Sequence, residues 1–544
     1  MSSSSQEEKG YGGELKNNDI AYDEHLRDTD VVAKISTREA QHHAQLTEEE
    51  LVIQKKLRRK IDTLIMPLVI TVYLMNYIDR NNYAAARLQG LEKDLNLKGD
   101  QYQLGLSILF VGYVLMQVPS NLLLNVSGRP SWYIGFFVIA WGLVSLLTSQ
   151  VKTAGDIIAC RFILGLVEAP FFAGILFYLS KWYTKGELNL RMSIFYAGSL
   201  LSGAFGSLIA AGILNGLAGK QGLSAWQWLY IIEGSITMAI GVVIVFVLPD
   251  FPHTWKLLSP EMKHVANRRM AIDAADTDID EAGGMSQIRG MKLAFTDPKT
   301  YVLAIMYHGT TGAAGFQNFF PTLTKTLGFD STISLVLVAP PYIFMVIWSL
   351  CHGIASDKVG NRFWFFLYPI PLTIIGALLF MFVDGFGGRY FSLFLLVFVF
   401  ATNGTIYAWI ANAIPRPPAK RAAALAFVNS VGNAASIWTP FTYNAKDAPH
   451  YVTPMGINIA LLGAAGIGAC VLRWLLVRDN NRLERMANMD ATLTEADLAH
   501  LRKTAESEGI DISAARQLQK SYRFVLTPIT TPETLLTNIC RYMI

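Results

Sequence analysis

Apolar runs of about 20 residues recur along this chain, and a soluble core has no room for so many of them. A hydrocarbon layer about 30 Å thick is crossed by about 20 helical residues at 1.5 Å rise each. Runs of that size cover 63–85, 103–124, 131–150, 156–179, 192–214 and 226–248. After a polar stretch, others cover 301–321, 334–355, 363–383, 391–412, 422–443 and 455–476. Backbone groups in lipid need partners within their own segment, so each run is read as a helix; barrel strands are shorter, about 9–11 residues. The fold class expected is therefore an all-α membrane protein with twelve transmembrane helices in two six-helix bundles. Composition agrees: 52% of the 544 residues are hydrophobic and 16% are charged, against about 25% charged in soluble domains. The net charge of +4 leaves no footprint for a nucleic acid.

The expected organisation follows. Residues 1–60 read as a disordered cytoplasmic tail without an apolar signal region. Residues 61–248 form the first bundle, 249–300 a cytoplasmic linker, 301–477 the second bundle and 478–544 a cytoplasmic tail. Within the linker, Ser259 and Pro260 read as the cap and first residue of a short helix. Lys and Arg near the span ends set orientation. With the N-terminus inside, Lys55, Lys56, Arg58, Arg59, Lys60, Lys181, Lys185, Arg191, Arg268 and Arg269 fall on the cytoplasmic side. The opposite side receives fewer, among them Arg87, Lys93, Lys152, Lys220 and Lys325. Both termini are thus expected in the cytoplasm. Trp226, Trp228 and Tyr230 resemble an interfacial aromatic belt.

Charges inside spans are expensive, about 2.5–3.5 kcal/mol each on the insertion scale, so they should face one another or a watery cavity. The first span carries Tyr77-Ile78-Asp79-Arg80 and the fourth carries Arg161 and Glu168. Arg161 and Glu168 lie seven residues apart, about 10 Å along one face, too far to satisfy each other. The two helices run in opposite directions. Counting depth from their outer ends pairs Asp79 with Arg161 and lets Arg80 reach Glu168. Glu233, about two turns inside its span, reads as interfacial and structural. A carboxyl balanced between burial and a nearby Arg can exchange a proton, and an Arg offers a planar fork to a substrate carboxylate.

These residues resemble the major facilitator superfamily, and within it the anion:cation symporter branch near the fungal allantoate permeases. The resemblance runs from about Lys60 to Arg482. It rests on Asp79-Arg80, the Arg161–Glu168 spacing, Phe320-Pro321-Thr322 ending the seventh span, Trp409 and Asn412, Lys420-Arg421, and Ala445-Lys446-Asp447-Ala448-Pro449-His450-Tyr451. The superfamily loop pattern appears as Gly353, Asp357, Lys358, Gly360 and Arg362. Its first-half counterpart is degraded: Asn125 replaces the usual Asp, followed by Gly128 and Arg129. The Gly-Pro signature of antiporters is missing from the fifth span, which favours symport over exchange.

The resemblance implies a substrate site between the halves near the midplane and alternating access by rocking. It implies proton coupling at Asp79 and Glu168, and anion recognition by Arg80 and Arg161 with Tyr77 beside them. The second half offers His308, Gln317, Asn318, Trp409, Asn412, Asn429 and Asn433 as polar candidates for the pocket. Interhelical hydrogen bonding is an equally good account of the amides, and helix packing of His308. The Gly309–Gly315 run permits a bend in the seventh span or close helix packing.

The function expected is proton-coupled uptake of a small organic anion, such as a vitamin acid, an allantoate-like acid or a dicarboxylate. A sulfur-containing anion, exchange, and a non-transporting nutrient receptor compete with it. No nucleotide loop, metal cluster or nucleophile triad emerges, so no enzyme activity and no cofactor beyond the coupling proton are expected. The partners are the anion, protons and the lipid bilayer. A plasma-membrane monomer is expected.

Overall fold

The computed structural model describes residues 46–127, 129–281, 287–414 and 418–487, with 498 and 502. The described residues are helical with short connections and no strand. The first half contains α1 (Glu48–Leu88), α2 (Gln101–Ser127), α3 (Pro130–Thr148), α4 (Ala154–Ser180), α5 (Lys185–Leu217) and α6 (Ala225–Val247). Helices α7 (Pro260–Glu281) and α8 (Gln287–Thr296) follow in the linker. The second half contains α9 (Pro298–Ala313), α10 (Ala339–Val359), α11 (Pro369–Phe382), α12 (Phe386–Leu396), α13 (Ala401–Ala413), α14 (Pro418–Trp438) and α15 (Val452–Ala487). A 3₁₀ turn, Val397–Phe400, joins α12 to α13 in one span. Each apolar run of the sequence falls on a helical stretch. Among the described residues, nine of these stretches are long and apolar enough to cross a membrane.

Local chemistry starts these helices. Reciprocal capping boxes, Thr47 with Glu50, Thr153 with Asp156 and Ser224 with Gln227, open α1, α4 and α6. Asp297 caps α9, and Pro298 takes its first position. Gly360, at φ 70°, ends α10 in a left-handed conformation that a side chain would strain.

Several expectations are corrected. Residues 48–60, assigned to the disordered tail, continue the first span as helix; residues 1–45 lie outside those described. Phe320-Pro321-Thr322 does not end the seventh span. After α9 the chain tightens into a 3₁₀ segment (Ala314–Phe319), and Pro321 sits in the first turn of a further helix, Phe320–Lys325. Trp226 and Tyr230, read as part of an aromatic belt, are buried inside the protein rather than turned to lipid, and the Trp226 indole donates to Asp94 at 2.8 Å. The linker does more than connect. Arg268 pairs with Glu50 at 2.8 Å, Arg269 binds Glu187 at 3.2 Å and the Trp182 carbonyl, and Lys60 reaches the Leu257 carbonyl.

The halves repeat each other. The second span packs on the fourth in each half (α2 with α4, α10 with α13), and the third packs on the sixth (α3 with α6, α11 with α15). Between halves, the second span of each meets the fifth of the other: α2 meets α14 and α10 meets α5. This is the arrangement expected of parallel repeats about an axis normal to the membrane. Large apolar side chains, such as Phe246 at 81% exposed, point outward as a lipid-facing surface requires.

Glycines allow a close crossing of α2 and α4. A Cβ on Gly165 of α4 would strike the Leu109 carbonyl of α2, and one on Gly112 would strike the Phe162 carbonyl. Backbone cannot yield as a side chain does. Gly165→Ala is therefore expected to cost about 1–3 kcal/mol by overpacking. Thermal unfolding in detergent checks this; an unchanged midpoint would show that the crossing has room for a methyl group.

Candidate functional site

Among the described residues, Asp79 and Arg80 of α1, Arg161 and Glu168 of α4 and Glu233 of α6 place acidic and basic side chains inside the first half. Arg80 and Glu168 form an ion pair at 2.7 Å. The Glu168 side chain is fully enclosed, whereas that of Arg80 keeps 17% exposure. The Arg80 guanidinium lies 4.9 Å from the Tyr113 ring, 5.5 Å from Tyr77 and 6.0 Å from Phe110. These faces attract a cation without competing for its N–H donors. One Glu168 oxygen, Oε1, is buried without a partner.

Asp79 does not pair with Arg161. Its carboxylate accepts from the Trp141 indole at 3.0 Å, the Ser145 hydroxyl at 3.1 Å and the Thr237 hydroxyl at 3.5 Å. Trp141 and Ser145 stand one turn apart on α3 and Thr237 stands on α6, so three neutral donors replace the expected cation. Arg161 instead donates to the Gly105 carbonyl at 3.3 Å and lies 4.7 Å from the Tyr83 ring. Glu233, read as interfacial and structural, is 1% exposed and accepts a hydrogen bond from the Asn82 amide of α1.

The second half brings some polar candidates together and separates others. The Tyr407 hydroxyl donates to Asn429 at 2.8 Å, and Asn433 donates to the same Asn429 oxygen at 3.1 Å. Tyr407 also meets the Tyr307 hydroxyl at 2.8 Å, and Tyr307 lies within electrostatic reach of Tyr77 and Tyr113 in the other half. Gln317 reaches Asn81 across the halves at 3.4 Å, in a crevice also lined by Asn82, Gly203 and Tyr342. Asn318 is half-buried and Asn412 exposed. Trp409 is buried against Phe363 and Phe366, inside its own half. His308 places Nδ1 2.8 Å from the Val431 carbonyl, while Trp438 donates to Nε2 at 3.3 Å, so both ring nitrogens serve helix packing.

Tyr113, Trp141, Ser145, Thr237, Tyr307 and Tyr407 were missed from the sequence. A polar i,i+4 pair on α3 was a visible signal for Trp141 and Ser145. Tyrosines in apolar runs carried none.

Near the termini, Asp357 binds Arg362 at 2.6 Å, and Arg362 also donates to Ser356 at 2.6 Å. Lys358 is exposed, and open space surrounds Gly353. In the first-half counterpart Gly128 lies outside the described residues and Arg129 is exposed. There Asp250, from beyond α6, accepts from the Ser131 N–H at 3.0 Å and its hydroxyl at 2.6 Å. An acid from the connection after α6 thus serves the start of α3.

Two repeated helical halves, with charges buried in one and polar groups facing it from the other, define an integral membrane transporter of the secondary type. The chain belongs to the major facilitator superfamily, whose family model matches residues 69–440. It is 33% identical to the MFS-type transporter cnsO of Penicillium expansum, over 79% of this chain and 84% of that one. It is 30% identical to a putative tartrate transporter of Agrobacterium vitis, over 70% of this chain and 83% of that one. The crystal structure of a D-xylose–proton symporter has the same fold, with a TM-score of 0.58, 13% identity, and coverage of 75% of this chain and 96% of that one.

Proposed function

We propose that this transporter carries a small organic anion inward together with a proton, as a member of the anion:cation symporter branch resembling the fungal allantoate permeases. The observation that carries the reading is the Arg80–Glu168 pair, in which a partly exposed guanidinium is held by an enclosed carboxylate. An entering carboxylate competes with Glu168 for the Arg80 fork. Glu168, displaced in a dry site, takes a proton rather than remain as an unpaired charge. Anion binding and protonation then favour each other, which is the linkage symport needs. Tyr77 and Tyr113 flank the fork, and Tyr307, Tyr407 and Asn429 offer neutral hydrogen-bonding groups for the rest of the solute. The tartrate transporter named above makes hydroxylated dicarboxylates the first substrates to test. The basic residues near the span ends favour cytoplasmic termini, and import places the chain in the plasma membrane.

Uptake of labelled tartrate and allantoate by a transport-null yeast, with and without a protonophore, tests the reading. Accumulation should collapse with the proton gradient. Glu168→Gln is expected to abolish gradient-driven accumulation while sparing anion exchange. Full accumulation by that variant would remove Glu168 from coupling.

A further inference from the structure

Within a turn of the end of the last apolar run, 455–476, stands a cation, Arg473 of α15. Gly466, seven residues earlier and so on the same face, would touch Ile370 and Leu367 with an added Cβ. That face therefore looks toward α11 and the short helix before it, Arg362–Leu367. There the Arg473 guanidinium lies 4.6 Å from the Phe363 ring and 5.9 Å from the Trp364 ring. The rings attract the flat cation but accept none of its N–H donors, and Nη1 is buried without a hydrogen-bond partner. Two acids at this end of the bundle are engaged elsewhere: Asp357 by Arg362 and Asp479 by Lys299. Outside the cation the surface is apolar. Ile467, Val471 and Trp474 form an exposed stripe on α15, and Trp364 is exposed beside it. Arg478, also exposed, lies 5.8 Å from the Trp474 ring.

We propose that Arg473, between Phe363 and Trp364, holds the phosphate of an anionic phospholipid whose acyl chains lie along the exposed stripe of α15. A guanidinium near the end of a span needs an anion, and its planar fork fits phosphate oxygens. Two features single out a lipid among phosphates. The apolar stripe leads away from the cation along the span, where only acyl chains can cover it. The exposed tryptophans Trp364 and Trp474 sit at the span end, the depth at which indoles meet headgroups. Arg478 adds a second positive charge, which favours a lipid with net negative charge over a zwitterionic one. The site lies on the outer face of the second half, away from the Arg80–Glu168 pair. It needs only the membrane, so it stands whether or not transport is coupled to a proton.

Native mass spectrometry of the purified full-length protein, titrated with phosphatidylserine or phosphatidylcholine, tests the site. The wild type is expected to retain phosphatidylserine in preference to phosphatidylcholine. Arg473→Gln should weaken that retention about 10- to 100-fold, the equivalent of one charge-assisted hydrogen bond. Arg473→Lys should keep part of it, and Lys256→Gln, which removes an exposed cation of the linker, should bind as the wild type does. Monodisperse elution of each variant controls for folding. If Arg473→Gln does not fold, Trp364→Ala carries the test, and unaltered retention in it overturns the proposal. Equal retention by the wild type and Arg473→Gln also overturns it, as does equal retention of the two lipids. A loss as large in Lys256→Gln would replace the site by diffuse attraction. Inorganic phosphate separates the sources. Protection from thermal unfolding by phosphate alone, absent in Arg473→Gln and without any lipid preference, overturns the proposal in favour of a soluble anion.

Discussion

Arg80→Lys is expected to raise the half-saturation concentration for the anion about 10- to 100-fold, the equivalent of losing one charge-assisted hydrogen bond of about 1.5–3 kcal/mol. Lysine keeps the charge but replaces a planar fork by a point donor on a flexible stem. It also loses the flat cation that lies near Tyr77, Phe110 and Tyr113. Arg80→Ala should be worse in a different way. It strands an enclosed Glu168 carboxylate, at a cost of about 3–5 kcal/mol when one partner of a buried pair is removed. The double variant Arg80→Gln/Glu168→Gln leaves no stranded charge, so it should recover thermal stability and still not transport. Labelled uptake and detergent unfolding, measured on the same preparations, separate the two effects. An unaltered half-saturation in Arg80→Lys would move the anion site elsewhere. Arg161→Lys is the contrasting variant. Arg161 is 2% exposed and lies against the Tyr83 ring, so its replacement should lower stability more than affinity.

The contrast between the two arginines shows what the sequence could and could not specify. Depth in the membrane is legible, because 1.5 Å per residue converts position along an apolar run into height. That arithmetic places Arg80 beside Glu168, and the structure pairs them. The same arithmetic puts Asp79 level with Arg161, yet they turn to other partners. Height says nothing about the rotation of a helix about its axis, and Trp141, Ser145 and Thr237 occupy the side that Asp79 faces.

Glu233 shows a related limit: its place in the span suggested an interfacial structural role, and only the facing Asn82 amide of α1 shows which contact it makes. Second-half candidates were the least legible. A Trp or His in an apolar run packs inward or lines a cavity with equal chemical sense. Only the neighbours Phe363, Phe366 and Trp438 decide it for Trp409 and His308. The architecture was legible because lipid leaves helices few alternatives. The glycines of the seventh span left a bend and close packing equally open, and Gly309 packs against the Leu461 carbonyl, whereas the docking of α7 through Arg268 and Arg269 depended on partners far away in sequence.

Asp297→Ala is expected to destabilise the second half by about 3–5 kcal/mol, the cost of breaking a buried pair from one side. Asp297 is 8% exposed and performs two tasks. Its Oδ1 accepts the Lys299 N–H at 3.0 Å and caps α9, while Oδ2 binds Lys420 at the start of α14 at 2.6 Å. Lys299 continues the chain of charges to Asp479 of α15 at 2.7 Å. One carboxylate therefore ties together three helix ends near the termini. Asp297→Asn should cost less than the alanine variant, since an amide oxygen still caps the helix, but it frees Lys420. Acid should erase the difference between the wild type and Asp297→Asn. Burial raises the Asp297 carboxyl and its two lysines outweigh that, so the folded value lies below the usual carboxylate range. A lowered carboxyl contributes stability that is fully present above the unfolded value, about pH 4, and is lost as pH falls through the folded value. Unfolding midpoints of the two proteins should thus differ by a constant amount from neutrality down to about pH 4 and converge below it. A gap that closed between pH 8 and pH 6 would show that another group titrates at this junction; a gap absent at every pH would show that the Lys420 contact contributes nothing.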